Sequence, residues 1–183
     1  MTWTSFHRRG DVLRHVIAAA DQRRDGALPR DVDGVSATFA DDLDLLAALQ
    51  LKWHTRLAGR IEREQMTQPL DLRAAVVRAW HRTADELPGI RAILDEARLR
   101  PADEATAEIM RKSAAKEHVL LAVMAGQASA QDALAATAGA RIEAEAKATW
   151  PSYDGLEGLA GDHDRDHTER PTFLGRLKAA LAA

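Results

Sequence analysis

The sequence of 183 residues contains no cysteine, and only 4% of its residues are aromatic. Without cysteine the chain has no disulfide, no thiolate metal site and no cysteine nucleophile, so a bound metal ion would need histidine, aspartate or glutamate ligands. Hydrophobic residues still make up 46% of the chain, and most of them are alanine, leucine or valine. Small aliphatic side chains in this proportion are typical of closely packed helices. They predict an all-α protein.

Long apolar runs are also missing, because no segment approaches the roughly 20 apolar residues that span a bilayer. The first residues, from Met1 to Arg9, lack the apolar stretch of a secretory signal. Lysine and arginine number 25 against 28 aspartates and glutamates, which gives a formal net charge of −3 with both signs interspersed. Nucleic-acid-binding domains usually concentrate positive charge on one face. We therefore expect a soluble, cytoplasmic protein with no membrane span and no nucleic-acid partner.

Motifs that carry chemistry are absent too. The sequence contains no nucleotide-binding loop, closed metal-ligand spacing or nucleophile elbow. The acidic run from Asp162 to Asp166 opens like an EF-hand loop, but His167 replaces the expected glycine and Phe173 replaces the bidentate glutamate. The sequence therefore favours a non-enzymatic function and predicts no cofactor.

The clearest pattern lies between Val35 and Gln65, where hydrophobic residues recur every three or four positions. The residues are Phe39, Leu43, Leu46, Leu49, Trp53, Leu57 and Ile61. This spacing places them on one face of a helix. It predicts one long core helix, and Trp53 and Trp80 are expected to be buried near one another.

Other helices are predicted at residues 70–87, 90–99, 103–125 and 129–149. Ser129 and Asp132 resemble a capping box, which could start the last of these helices. A first helix starts near Ser5 or at Asp11, because Gly10 leaves both starts open. Short connections favour antiparallel neighbours. The sequence thus predicts an up-and-down bundle of about five helices plus a short one over residues 1–149. A flexible acidic Gly/Pro linker over residues 150–171 and a C-terminal amphipathic helix over residues 172–183 follow it.

Three of the predicted helices each carry a histidine and a carboxylate. These candidate metal ligands are His54, Glu62, His81, Asp85, Glu117 and His118. They suggest a ferritin-like metal-binding or redox bundle that holds iron, manganese or zinc, although no glutamate is followed three residues later by histidine. The alternative interpretation places the two histidines that follow tryptophan at the core edge. In that case Glu117 would pair with an arginine of the long helix, such as Arg56 or Arg60.

The C-terminal residues Phe173, Leu174, Leu177 and Leu181 share one side of the last predicted helix. A helix of about ten residues is marginal alone in water, so we expect it to dock on its own bundle, on a second subunit or on a partner. The principal hypothesis is a non-enzymatic interaction or assembly protein. In it, these four residues would bind a protein partner or mediate self-association.

Overall fold

A computed structural model of the chain describes residues 3–130 and 132–151, with side chains from residue 8 onward. These residues form seven α-helices and no strand, so the predicted all-α bundle is confirmed. The helices are α1 (Trp3–Arg23), α2 (Val35–Thr38), α3 (Asp42–Thr67), α4 (Leu72–Glu86), α5 (Pro88–Leu99), α6 (Glu104–Met124) and α7 (Ala135–Thr149). None of the described helices is long and apolar enough to cross a membrane. The predicted C-terminal helix and most of the predicted linker lie outside the described residues.

The single long helix predicted from Val35 to Gln65 is wrong, because the run is interrupted after α2. Phe39 is extended, with φ −109° and ψ 132°. Asp41 then starts α3, and its carboxylate accepts a hydrogen bond of 2.8 Å from the backbone N–H of Asp44. An aspartate at this position satisfies one of the free amides at a helix start. Phe39 is nevertheless buried, so its place in the apolar pattern reflects the core and not a continuous helix.

The start of α1 agrees with the first of its two predicted positions, near Ser5, whereas the start of α7 differs from its prediction. α1 begins at Trp3 and continues through Gly10, so Asp11 lies inside the helix and does not cap it. α7 begins at Ala135, six residues later than predicted. Before it, the Asp132 carboxylate accepts a hydrogen bond of 2.8 Å from the N–H of Leu134. The described helices α4, α5 and α6 begin and end within two residues of their predicted bounds.

The helices pack as two pairs joined side by side. α3 packs chiefly on α4 and α6 chiefly on α7, while contacts between α4 and α7 join the pairs and α5 packs chiefly on α1. Trp53 and Trp80 are completely buried, and their ring centroids lie 5.9 Å apart at an interplanar angle of 75°. This edge-to-face arrangement is the one that aromatic pairs favour. The predicted burial of both tryptophans is confirmed.

Two glycines allow helix backbones to touch. A Cβ added to Gly139 of α7 would overlap the backbone carbonyl of His118 on α6. One added to Gly89 of α5 would overlap the backbone of Ala20 on α1. Only glycine permits such an approach. The contact at Gly139 draws α7 close to α6 at the level where charged side chains meet inside the bundle.

Candidate functional site

A cluster of charged side chains lies inside the bundle where α5, α6 and α7 meet. Glu117 of α6 is completely buried, and Arg98 of α5 donates a hydrogen bond of 2.7 Å to its Oε2. The other oxygen of Glu117 accepts a hydrogen bond of 3.0 Å from the indole N–H of Trp53. Arg98 also donates a bond of 2.9 Å to Oε1 of Glu143 on α7. Glu117 is therefore withdrawn from water and paired, as predicted.

The predicted origin of that partner is wrong. Arg56 and Arg60 of α3 bind Glu86 of α4, because their stretch of α3 faces α4. The arginines that approach Glu117 are Arg91 and Arg98, which lie two helical turns apart on α5. Spacing along one helix can indicate a buried charge, but it cannot indicate which neighbouring helix neutralises it.

Arg91 is the most enclosed cation of the cluster, with 2% of its side chain exposed. It makes two hydrogen bonds, of 3.0 and 2.9 Å, to the carboxylate of Asp95 one turn further along α5. Its guanidinium carbon lies 4.7 Å from the centroid of the Trp53 ring, which is favourable for a cation above an aromatic face. Lys147 of α7 also donates a hydrogen bond of 2.8 Å to Asp95.

The acidic and basic side chains of the cluster stabilise one another in their ionised forms. Burial alone would raise the pKa of Glu143, but a hydrogen bond of 2.6 Å with His118 and the charges of Arg98, Lys147 and Arg91 lower it well below its usual range. Burial alone would likewise lower the pKa of Arg98, yet the neighbouring carboxylates raise it. A buried charge network with this degree of pairing is a structural element, since removing one member leaves the others uncompensated.

The candidate metal ligands do not converge. His81 Nε2 lies 2.8 Å from the carbonyl oxygen of Ala146, and Glu62 and Asp85 are exposed. The two candidates on α6 belong to the charge cluster. Across residues 3–130 and 132–151, no three histidine, aspartate or glutamate side chains form a group that could hold a metal ion. The metal hypothesis gains no support from this arrangement and stays a prediction.

A second candidate site lies on the outside of α3. Leu51 is 68% exposed and forms a ridge with Ala47, one turn earlier, between two grooves. One groove, of about 470 Å³, runs between α3 and α1, and the other, of about 380 Å³, runs between α3 and α6. We call this surface the Leu51 face. It is defined by the apolar residues Leu13, Leu46, Ala47, Leu51, Ile109 and Met110 and by the bordering lysines Lys52, Lys112 and Lys116.

The charges along the Leu51 face are mainly positive. Arg9 and Asp44 form a salt bridge of 2.7 Å at one end of the groove between α1 and α3, so their charges offset each other. Lys112 contacts a glutamate of its own helix at 3.0 Å. Among the described residues, no carboxylate lies within 4.0 Å of the ammonium group of Lys52 or Lys116. The face therefore carries an excess of positive charge at its borders.

The floor of the groove between α3 and α6 is polar but uncharged. Gln50 is 9% exposed, and its Nε2 lies 3.4 Å from Nδ1 of His54. In the part of the chain that is described, the Oε1 atom of Gln50 has no hydrogen-bond partner. Burial lowers the pKa of His54, although the Glu117 carboxylate opposes this effect. His54, predicted as a metal ligand, is thus a neutral groove residue at pH 7.

Several of these residues were not among the sequence predictions. Arg91 and Glu143 are buried, and each lies three residues before a buried apolar residue, Leu94 and Ala146 respectively, so this signal was available in the sequence. Leu51 offered no signal, because a single leucine outside an apolar stripe is an ordinary surface residue.

Comparison of the chain with models of protein families, with curated proteins and with solved structures gives no match. Function is therefore inferred from the geometry of the Leu51 face.

Proposed function

We propose that the chain is a non-enzymatic interaction protein whose Leu51 face receives an amphipathic helix of a partner protein. One observation carries the proposal, namely an exposed ridge of Ala47 and Leu51 between two apolar grooves. Residues four apart on a helix form the ridges that fit between the side-chain rows of a second helix. Recognition of an amphipathic helix in an apolar groove is a recurring mode of protein association.

The dimensions of the Leu51 face support this proposal. Each groove falls within the range of roughly 300–1,000 Å³ that is usual for binding clefts. Ala47 and Ala48 are small, so the backbone of a docked helix could approach α3 closely. Ile109 is exposed on the opposite wall and extends the apolar surface beyond Leu51. Contiguous exposed apolar surface of this kind marks interaction sites.

The C-terminal helix predicted at residues 172–183 is a separate part of the interaction hypothesis. It lies outside the described residues, so the Leu51 face alone supports the proposal. The C-terminal helix is tested independently, by truncation.

The test uses a fluorescently labelled synthetic peptide that forms a helix with a leucine stripe flanked by glutamate. We expect saturable binding to the full chain in anisotropy titrations. Leu51→Glu should weaken it at least tenfold, because burying a leucine contributes about 1.5–3 kcal/mol and about 1.4 kcal/mol corresponds to a factor of ten. Leu99→Glu is the matched control, since Leu99 is 75% exposed and lies outside the Leu51 face. Absence of binding, or equal binding to both variants, would contradict the proposal.

A further inference from the structure

We propose that the helix bound by the Leu51 face is acidic, with carboxylates on both flanks of its apolar stripe. One flank would face Lys52, and the other would face Lys112 and Lys116. This inference rests on the proposed function, because it specifies the chemistry of the partner at the same surface.

The positions of the lysines support two acidic flanks. Lys52 follows Leu51 on α3 and borders the groove towards α1. Lys112 and Lys116 are four residues apart on α6 and border the other groove. Because side chains four apart lie on the same side of a helix, the second pair forms one positive edge. Lysines thus border both of the grooves that flank the ridge of Ala47 and Leu51.

Of these three lysines, only Lys112 has its charge partly offset within the described part of the chain, by its contact of 3.0 Å with Glu108 of the same helix. Among the described residues, Asp44 is the single carboxylate that lines either groove, and it is held by Arg9 through contacts of 2.7 and 3.1 Å. Gln50 is uncharged, and burial keeps His54 neutral at pH 7. Complementary charge at the rim of an interface mainly determines partner selection and the association rate. Carboxylates beside the leucines of a docking helix match this arrangement.

Other anionic ligands match the surface less well. A nucleic-acid backbone has no apolar strip to cover Leu51, and a single fatty acid would occupy one of the two grooves. A helix with an apolar stripe between acidic flanks covers the ridge, both grooves and both lysine borders together.

The experiment compares three labelled peptides that share one leucine pattern and differ only at the flanks, which carry glutamate, glutamine or lysine. Each is titrated into the full chain at low and at physiological salt. We expect the glutamate peptide to bind at least tenfold more tightly than the lysine peptide at low salt. The difference should shrink at higher salt, because ions screen exposed charges. Sodium dodecanoate is titrated as a fourth probe.

Charge-reversal variants test whether the lysines of α6 cause the preference for the glutamate peptide. The double variant Lys112→Glu with Lys116→Glu should lose the preference for the glutamate peptide. Arg141→Glu makes the same kind of change on the exposed surface of α7 and should leave the preference intact. Circular dichroism of each variant checks that the helices remain folded.

The outcomes separate the two proposals. If all three peptides bind equally and Leu51→Glu weakens all of them, the docking function stands and the acidic partner is overturned. If no peptide binds, the docking function fails. If dodecanoate binds and the peptides do not, the face takes a small amphiphile and both proposals are overturned.

Discussion

Replacing Arg98 with methionine is the most direct test of the buried charge cluster. Methionine keeps much of the length of the arginine side chain but removes its charge and its donors. Arg98→Met would leave Oε2 of Glu117 and Oε1 of Glu143 without the bonds of 2.7 and 2.9 Å that they now accept. Both carboxylates are buried, so bulk water has little access to them.

The expected loss is large for a single substitution. Breaking a buried pair by removing one partner costs about 3–5 kcal/mol. Glu117 keeps its bond from Trp53, and Arg91 remains 3.6 Å away, so we expect a value near the lower limit. For a chain of this size, a loss of about 3 kcal/mol lowers the melting temperature by roughly 6–12 °C.

Urea unfolding followed by far-ultraviolet circular dichroism measures the effect. Arg100→Met is the control, because Arg100 lies two residues further along and pairs with Glu96 on the exposed surface, where little or no change is expected. If Arg98→Met were no more destabilising than Arg100→Met, the cluster would not contribute to stability and the reasoning would be wrong.

The pH dependence of unfolding provides a second measurement on Arg98→Met. The pKa of Glu143 is lowered in the folded state, so the unfolded chain binds more protons at acid pH and stability rises with pH. The stabilisation is complete above the unfolded pKa of about 4.3 and is lost as the pH falls below it. Arg98→Met removes one of the charges that lower this pKa, so the midpoint of acid unfolding should move to higher pH.

Four further predictions concern other parts of the chain. The pKa of His54 is lowered by burial below its unfolded value of about 6.5, so stability should fall from pH 7 to pH 5, and His54→Leu should reduce that fall in urea titrations. Gly139→Ala should lower the melting temperature strongly because a Cβ would overlap the His118 carbonyl, whereas Gly59→Ala, where a Cβ meets nothing, should be neutral or stabilising by up to about 1 kcal/mol. Truncation after Thr149 should leave the melting temperature unchanged and abolish partner binding or self-association if the C-terminal helix is a recognition element; a lower melting temperature would mean that it caps its own bundle. Elemental analysis of the purified chain should find no stoichiometric iron, manganese or zinc, and one ion per chain would support the ferritin-like alternative.

Local signals in the sequence predicted most helix bounds. Asp71 and Asp103 each precede a helix and accept hydrogen bonds of 3.0 and 2.7 Å from the N–H groups of Ala74 and Thr106. Such caps depend only on neighbouring residues, so they can be read from a short stretch of sequence. The interruption that begins at Phe39 was missed because apolar spacing continues across it, although Asp41 provided a capping residue.

The candidate site was less predictable, because it depends on how helices are placed. Glu117 stood out as a charge among apolar positions, but its cationic partners lie on α5, and nothing in the spacing of α6 indicates that α5 approaches it. Leu51 matters because, within the described part of the chain, two grooves flank it. Neither property is encoded in a single helical pattern.

The charge cluster also has a consequence for the alignment of helices during folding. The surface that α7 buries includes the small residues Ala135, Gly139 and Ala146, and only Gly139 lacks the Cβ that would overlap the His118 carbonyl on α6. A slip of one turn would move Glu143 by about 5.4 Å. Its contacts with Arg98 and His118 would then be broken inside the protein, with a cost that outweighs the loss of a few methyl contacts. The buried charges therefore favour the same register of α7 that the close contact between Gly139 and α6 requires.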